Sequence, residues 1–439
     1  MQSSLRTPFY ALLILFAALL TPTTSFAQRT VTGVGDPGQD VKNVQEAVDA
    51  GGTVTLSGRF DFGRDGRVSI RKNVAILGEV DELGHPATTI EGGFWTLYAP
   101  LPVKGAPPAK NGSIIAVRNI VFRGAKGTPL HFPHTGGLTV ENCVVEQVQP
   151  QEIDVQWTEG DTLLFQAGLV VGNRLDHPSN RIKRAARGTV RVIENRFEME
   201  NDEPDMTAGY GVMVNWTEGS DILIRDNLVD RASRNGVEVF DNALGAKGRG
   251  EIRIEDNRII TADEGIAYPH KYGPNGIAAG WYFSTVGGTQ FSRNNRMVIS
   301  GNRIECHGDA STGLLLHAND IVAACNDIVM AGGSESRGIV QTGSRGYFVN
   351  NRVRGEARFA IWSHPFEALT ATANTFAWTD LDEFTGIRGQ ILTAGNLNLV
   401  LGDIRVLIDK GDGNRQVELR PCALSETDVE TSPWTSNQP

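Results

Sequence analysis

One eight-residue pattern recurs down the chain. It runs apolar, variable, apolar, two variable residues, asparagine, variable, apolar. It reads VRVIENRF ending at Phe197, ILIRDNLV at Val229, IRIEDNRI at Ile259, MVISGNRI at Ile304, IVAACNDI at Ile328, GYFVNNRV at Val353 and LTATANTF at Phe376. Asn195, Asn227, Asn257, Asn302, Asn326, Asn351 and Asn374 then hold equivalent pivot positions. Looser earlier copies put Ile120, Cys143 and Asn173 there. Pivots 302, 326, 351 and 374 are 24, 25 and 23 residues apart, and 120 to 143 is 23. A unit near 23 residues is too short for two packed helices, and its period-two alternation means strand. One such unit cannot enclose a core, so the copies must stack. Two strands joined at a bend, followed by a third, make one coil, with neighbouring coils about 4.8 Å apart.

The pivot asparagine has a local rationale. A sharp bend between strands favours a residue that tolerates left-handed backbone. Its amide can also bond its equivalents one coil above and below, satisfying polar groups inside the stack. These asparagines are therefore expected to build the scaffold and not to bind ligand.

From about Val41 to Phe376 the chain resembles the right-handed parallel β-helix proteins of the pectate-lyase-like superfamily. The segment DVKNVQEAVDAGGTVTLSGRF resembles that superfamily's opening. In it a short amphipathic helix, with Asp40 as N-cap and Gly51 as stop, covers the first coil. GGTVTLSG is read as the first strand and VSIRKNVAILGE, from Val68, as the next coil. The resemblance implies an all-β solenoid. Its expected parts are a cap and first strand over 28–60, the parallel β-helix over 61–410, and an end with a disordered tail over 411–439. The fold hosts lyases, hydrolases, epimerases and inert stalks, so it leaves activity open. Of the polygalacturonase signatures only Arg181-Ile182-Lys183 occurs, and the Asp-Pro-His of alginate epimerases is absent. Calcium is common in the superfamily and stays open as a cofactor. The stretch from Asp409 to Asn414 lacks the rest of an EF-hand and reads as a hairpin turn.

A second pattern, Gly-apolar-x-apolar, follows the asparagine-bearing strands: GVMVN from Gly211, GVEVF from Gly236, GIAYP from Gly265, GLLLH from Gly313 and GIVQT from Gly338. Alternation sends Val212, Val237, Ile266 and Leu314 inward. Met213, Glu238, Ala267 and Leu315 point outward, as do Asn215, Phe240, Pro269 and His317. Insertions flank this strand where the pivots are 32, 30 and 45 residues apart, between 195 and 302. Long loops on a rigid scaffold are where binding concentrates. Glu238, Asp241, His270, Lys271 and His317 are the catalytic candidates. His270 or His317 would serve as the base of a lyase, with Lys271 stabilising the enolate, and Glu238 with Asp241 as the carboxyl pair of a hydrolase. Asn215, Trp216, Phe240, Tyr272, Trp281 and His364 are the substrate-binding candidates, the aromatic rings offering flat faces to sugars.

Residues 1–27 are expected to be an address. Arg6 is the only charge there, Phe9 to Leu20 is apolar, and Ser25-Phe26-Ala27 is a small-residue cleavage pattern. This reads as a secretory signal cleaved after Ala27, leaving a secreted or periplasmic chain with no membrane span and no lipid anchor. The net charge of −10 argues against a nucleic-acid partner. Cys143 and Cys306 fall at inward positions and read as buried free thiols. The expectation is a monomer that acts on or binds polysaccharide, as a lyase or a related hydrolase or epimerase. The alternative is a non-catalytic glycan-binding or structural protein.

Overall fold

The computed structural model describes residues 28–101, 112–154, 162–172, 186–200, 202, 206–240, 250–265, 273–280, 296–331, 333–366 and 369–418. Among these, one helix accompanies a solenoid of strands sorted into three sheets of 14, 13 and 11 strands, parallel throughout except for Gln151–Asp154, which pairs antiparallel with Thr162–Val171. Successive strands of each coil go to different sheets, and each strand pairs with its counterpart one coil away. We call these sheets A, C and B respectively. The chain visits A, then B, then C, as in Asp221–Arg225, Leu228–Ala232 and Asn235–Phe240.

Alternation accounts for the core. In sheet A, Ile222 and Ile224 are buried while Asp221 is exposed. Inward residues of all three sheets, among them Val192, Phe197 and Val212, merge into one cluster running the length of the stack. Two-residue periodicity therefore produces a continuous apolar cylinder without any coil having a core of its own. In sheet C, Gly236 and Gly276 let neighbouring strands close in. A Cβ on either would lie 2.3 Å from a methyl of Ile259 or Ile304 on sheet B.

The bend between sheets A and B carries the asparagine ladder. Asn195 Nδ2 donates to Asn227 Oδ1 at 2.9 Å, and the same bond links Asn227 to Asn257, Asn257 to Asn302, Asn302 to Asn326 and Asn326 to Asn351. Each Oδ1 also accepts the backbone N–H of the preceding asparagine, at 3.0–3.1 Å. Each Nδ2 reaches back to a carbonyl in the strand before, Val192 for Asn227 and Ile224 for Asn257. Cys143 heads the column, its N–H donating to Asn195 Oδ1 at 2.9 Å.

Two details of the bend differ from the sequence reading. The left-handed residue is the one before the pivot: Glu194, Asp226, Asp256, Cys325 and Asn350 have φ between 53° and 58°. The pivot asparagine is chosen for its amide, which the bend turns inward. Asn374 is also not the next rung. Asn351 aligns with Thr379, since Arg352 bridges Asp380. Asn374 instead precedes the sheet A strand Thr375–Ala377, where its Oδ1 accepts from Gly346 N at 2.8 Å. With Asn398 and Asn414 it forms a second, C-terminal column at the turn between sheets C and A.

The ends are also corrected. The helix α1 (Pro37–Ala50) is capped by Asp36, whose side chain accepts from Gln39 N at 2.8 Å. Asp40 is fully buried and accepts from Val34, Gly35 and Asp61 N–H groups, tying the helix to the first coil. Gly51 does end the helix, with φ 76°. The first strand is Gln28–Thr32, paired parallel with Gly52–Ser57, so the stack begins before the helix. At the other end Asp409 closes a strand of sheet C, and Arg415–Val417 enters sheet A. The turn between them links two sheets and is not a hairpin. Asp409 Oδ1 accepts from Gly411 N and Asn414 Nδ2. Cys143 and Cys306 are buried free thiols, as expected, and burial pushes both up to about 12. Cys325 is free and exposed. The signal and tail readings fall on residues outside those described.

Candidate functional site

The outer face of sheet C is unlike the outer faces of a plain stack. Tyr210, Asn235, Asn275, Thr312, Arg337 and Phe359 align from coil to coil in one outward column. A second column holds His131, Val170, Met213, Glu238, Ala278, Leu315, Val340 and Trp362. A third runs Asn215, Phe240, Gly280 and His317. The alternation read from the sequence therefore holds for Met213, Glu238 and Leu315, and for Asn215, Phe240 and His317.

Glu238 sits where the three columns meet, and its side chain is buried, at 6% exposure. Asn215 Nδ2 donates to its Oε1 at 2.5 Å, and Asn235 Nδ2 donates to its Oε2. Each amide is held in turn. Asn215 Oδ1 accepts from Phe240 N at 2.9 Å, and Asn235 Oδ1 accepts from Asn275 Nδ2 at 2.7 Å. The carboxyl is thus fixed by a chain of three asparagines from three successive coils. Burial raises its pKa, against the opposing pull of the Asn215 hydrogen bond, the Arg234 charge and the Asn235 hydrogen bond. A carboxyl in such surroundings keeps its proton to higher pH than a solvated one, as a proton donor requires.

His317 is also buried. Its Nδ1 lies 2.9 Å from Thr342 Oγ1, and burial, with the charge of His364, pulls its pKa down to about 4. Its ring stacks at 5.2 Å on Phe366 and at 6.5 Å on Phe240. The second stack passes over Gly280, which lies between them in register and has no side chain to block it. Glu238 and His317 are two coils apart, about 10 Å along the axis and about 7 Å along the strand. The structure does not bring these two candidates together.

His364 is half-buried, stacked at 4.3 Å on Trp362, with Nδ1 2.9 Å from Pro365 O. Burial lowers its pKa, and the Arg337 charge adds to that. Trp216 is buried with φ 56° at the end of the strand Thr207–Asn215. Asp241, His270, Lys271, Tyr272 and Trp281 lie outside the described residues. One assignment near them is overturned. The strand of that coil is Asn275–Gly280 and not the GIAYP run from Gly265. Two Gly-apolar segments compete there, and only the second places Asn275 beside Asn235. His270, Lys271 and Tyr272 therefore precede the strand in sequence.

Sequence reasoning missed Asn235, Asn275, Arg337 and Trp362. Strand alternation counted back from Glu238 would turn Asn235 inward; it faces outward because Gly236 and Val237 both face the core, breaking the alternation. Its pairing with Glu238 and Asn275 depends on register between coils, which loops of unequal length conceal. An aromatic group near the N-terminal end was also missed. There the Arg67 guanidinium lies 4.6 Å from the Trp95 ring, and Trp95 Nε1 donates to Gln151 Oε1 at 2.9 Å. Among the described residues no group of three or more His, Cys, Asp or Glu side chains is placed to hold a metal ion. No helix there is long and apolar enough to cross a membrane.

Residues 109–275 match the family model described as right handed beta helix region. With three parallel sheets wound by one chain, that match decides the architecture. The chain is a right-handed parallel β-helix. Solved structures similar to this β-helix include the tailspike protein of E. coli bacteriophage HK620, in complex with a hexasaccharide. It is 14% identical, with 87% of this chain and 77% of that one covered and a TM-score of 0.43. The A-module of Azotobacter vinelandii mannuronan C-5 epimerase is 12% identical over 90% of this chain and 98% of its own, with a TM-score of 0.31. The Streptococcus pneumoniae surface protein and adhesin PfbA is 12% identical over 89% of this chain and 100% of its own, with a TM-score of 0.34. No curated protein matches the β-helix in sequence.

Proposed function

We propose that this β-helix is exported and acts on a polysaccharide laid along the outer face of sheet C, with Glu238 as the proton-transferring carboxyl. One observation carries the reading. At Glu238's register the two coils on either side place Val170, Met213, Ala278 and Leu315. Building the stack calls for an apolar side chain there. A buried carboxyl costs stability unless hydrogen-bonded, and this chain supplies two amides to hold one. Glu238 with its raised pKa is suited to protonating a departing glycosidic oxygen, a step shared by elimination and hydrolysis.

The second reading is a non-catalytic glycan binder. It is favoured by the separation of Glu238 from His317, and by the partners of Glu238 being amides and not a second carboxyl. One experiment separates the two. The purified chain is incubated with acidic and neutral polysaccharides, with and without calcium. Ultraviolet absorbance reports unsaturated ends and a reducing-end assay reports hydrolysis. Catalysis by Glu238 predicts turnover that falls by about 10²-fold or more in Glu238→Gln. New ends formed equally well by that variant would refute the role given to Glu238. Retention on a glycan without new ends would establish the binder instead.

A further inference from the structure

Three coils beyond Asn235, about 14 Å along the axis, the same outward column reaches Arg337. Arg358 comes from the following coil, one residue before Phe359, the register partner of Arg337. The Arg337 guanidinium carbon lies 4.3 Å from the Trp362 ring centre, and that of Arg358 lies 5.9 Å from the same ring. One carboxylate serves both. Arg358 Nη1 donates to Glu335 Oε2 at 2.6 Å, while Arg337 Nη2 is 3.7 Å from that oxygen, beyond hydrogen-bond range.

The donors therefore outnumber the acceptors. Each guanidinium carries five N–H groups. Among the described residues Arg358 makes one side-chain hydrogen bond and Arg337 makes none, and the Nε of each is without an acceptor. An arginine serving only the scaffold pairs its buried donors off. Here the stack on Trp362 fixes the guanidinium plane while leaving its N–H edges unspent, and two positive charges face one negative. Glu335 is 47% exposed and the Arg337 and Arg358 side chains are 18% and 22% exposed, so each arginine keeps a solvent-facing part. A planar fork held in place with spare donors recognises a flat or tetrahedral oxyanion.

We propose that Arg337 and Arg358 form a subsite for an oxyanion substituent, a carboxylate or a sulfate ester, on a sugar unit of the polysaccharide bound along sheet C. The inference rests on the glycan reading above, and it makes the ligand long enough to span from Glu238 to Arg358, four coils further on.

The test compares matched polymers by calorimetry: polygalacturonate against its carboxyl-reduced form, and chondroitin sulfate against its desulfated form. A preference of roughly tenfold or more for a charged member is expected, weakening with salt. The pair that shows it identifies the group. The preference should vanish in Arg337→Met with Arg358→Met, and should fall in Arg337→Lys, which keeps the charge but not the fork. Equal affinity for charged and neutral members, or a preference surviving in the double variant, overturns the subsite and leaves the glycan reading standing. If no polymer binds, the glycan reading fails, and inorganic sulfate still decides the subsite. Sulfate at matched ionic strength against chloride should raise the melting temperature of the native chain more than that of the double variant. Equal shifts overturn it.

Discussion

Sheets A and C belong to the same coils and share one core, yet their outer faces differ. Sheet A alternates cleanly and shows charged side chains to solvent, as in Asp221–Arg225. At its edge Arg345 grips Asp320 through two bonds of 2.7 Å. Sheet C is buried on both faces through Thr207–Asn215 and Asn235–Phe240. Its outward positions hold asparagine, glutamate, histidine and tryptophan. A repeat needs the same thing from every coil, so departures from repetition on one face show where selection has asked for more than stacking.

The comparison can be broken first at the scaffold. Asn227→Ala removes an amide that donates to Asn257 and Val192 and accepts from Asn195. It leaves several buried groups unpaired, and a loss of about 3 kcal/mol or more is expected in urea unfolding. A loss under about 1 kcal/mol would mean that the ladder is incidental to stability.

The two buried titrating groups of sheet C sharpen it next, with opposite signs. His317 is pulled from 6.5 to about 4 in the folded state. The folded chain then binds fewer protons than the unfolded chain between those values. Its stability should rise from pH 4 to 6.5, by up to roughly 3 kcal/mol, and that slope should flatten in His317→Leu. Glu238 is raised, so the folded chain binds more protons and its contribution falls as pH climbs from 4.5. Glu238→Gln should therefore stabilise the chain more at pH 7 than at pH 4. Unfolding midpoints across this range check both, and a Glu238→Gln effect independent of pH would place the carboxyl in solvent.

The smallest effect belongs to sheet A. Arg345→Ala removes an exposed ion pair and should cost about 0.5 kcal/mol or less. A cost comparable to Asn227→Ala would erase the distinction between the two faces.

The fold was legible because strand period and pivot spacing repeat over many coils, and Asn195 through Asn351 keep strict phase. Legibility failed where local motifs mimic one another. LTATANTF has the right pattern, but its asparagine belongs to the other turn of sheet A. Asp36 and Asp40 both stand before an amphipathic run, and only tertiary contact assigns one to the cap and the other to the first coil. Glu238 was found from alternation within its own strand. Its holders Asn235 and Asn275, and the Arg337–Trp362 stack, come from inter-coil register, which loops of 7 to 22 extra residues obscure.

The asparagine ladder has a direction. Every asparagine-to-asparagine bond in it runs from an Nδ2 to the Oδ1 of the next coil toward the C-terminal end, so each rung presents the same acceptor behind and the same donor ahead. A coil duplicated between Asn195 and Asn351 would meet neighbours identical to those it left. One added after Thr379, whose hydroxyl has no partner among the described residues, would not. The length of this molecule is thus adjustable in whole coils within the ladder, and a chain of this kind can grow from the middle while both of its ends stay as they are.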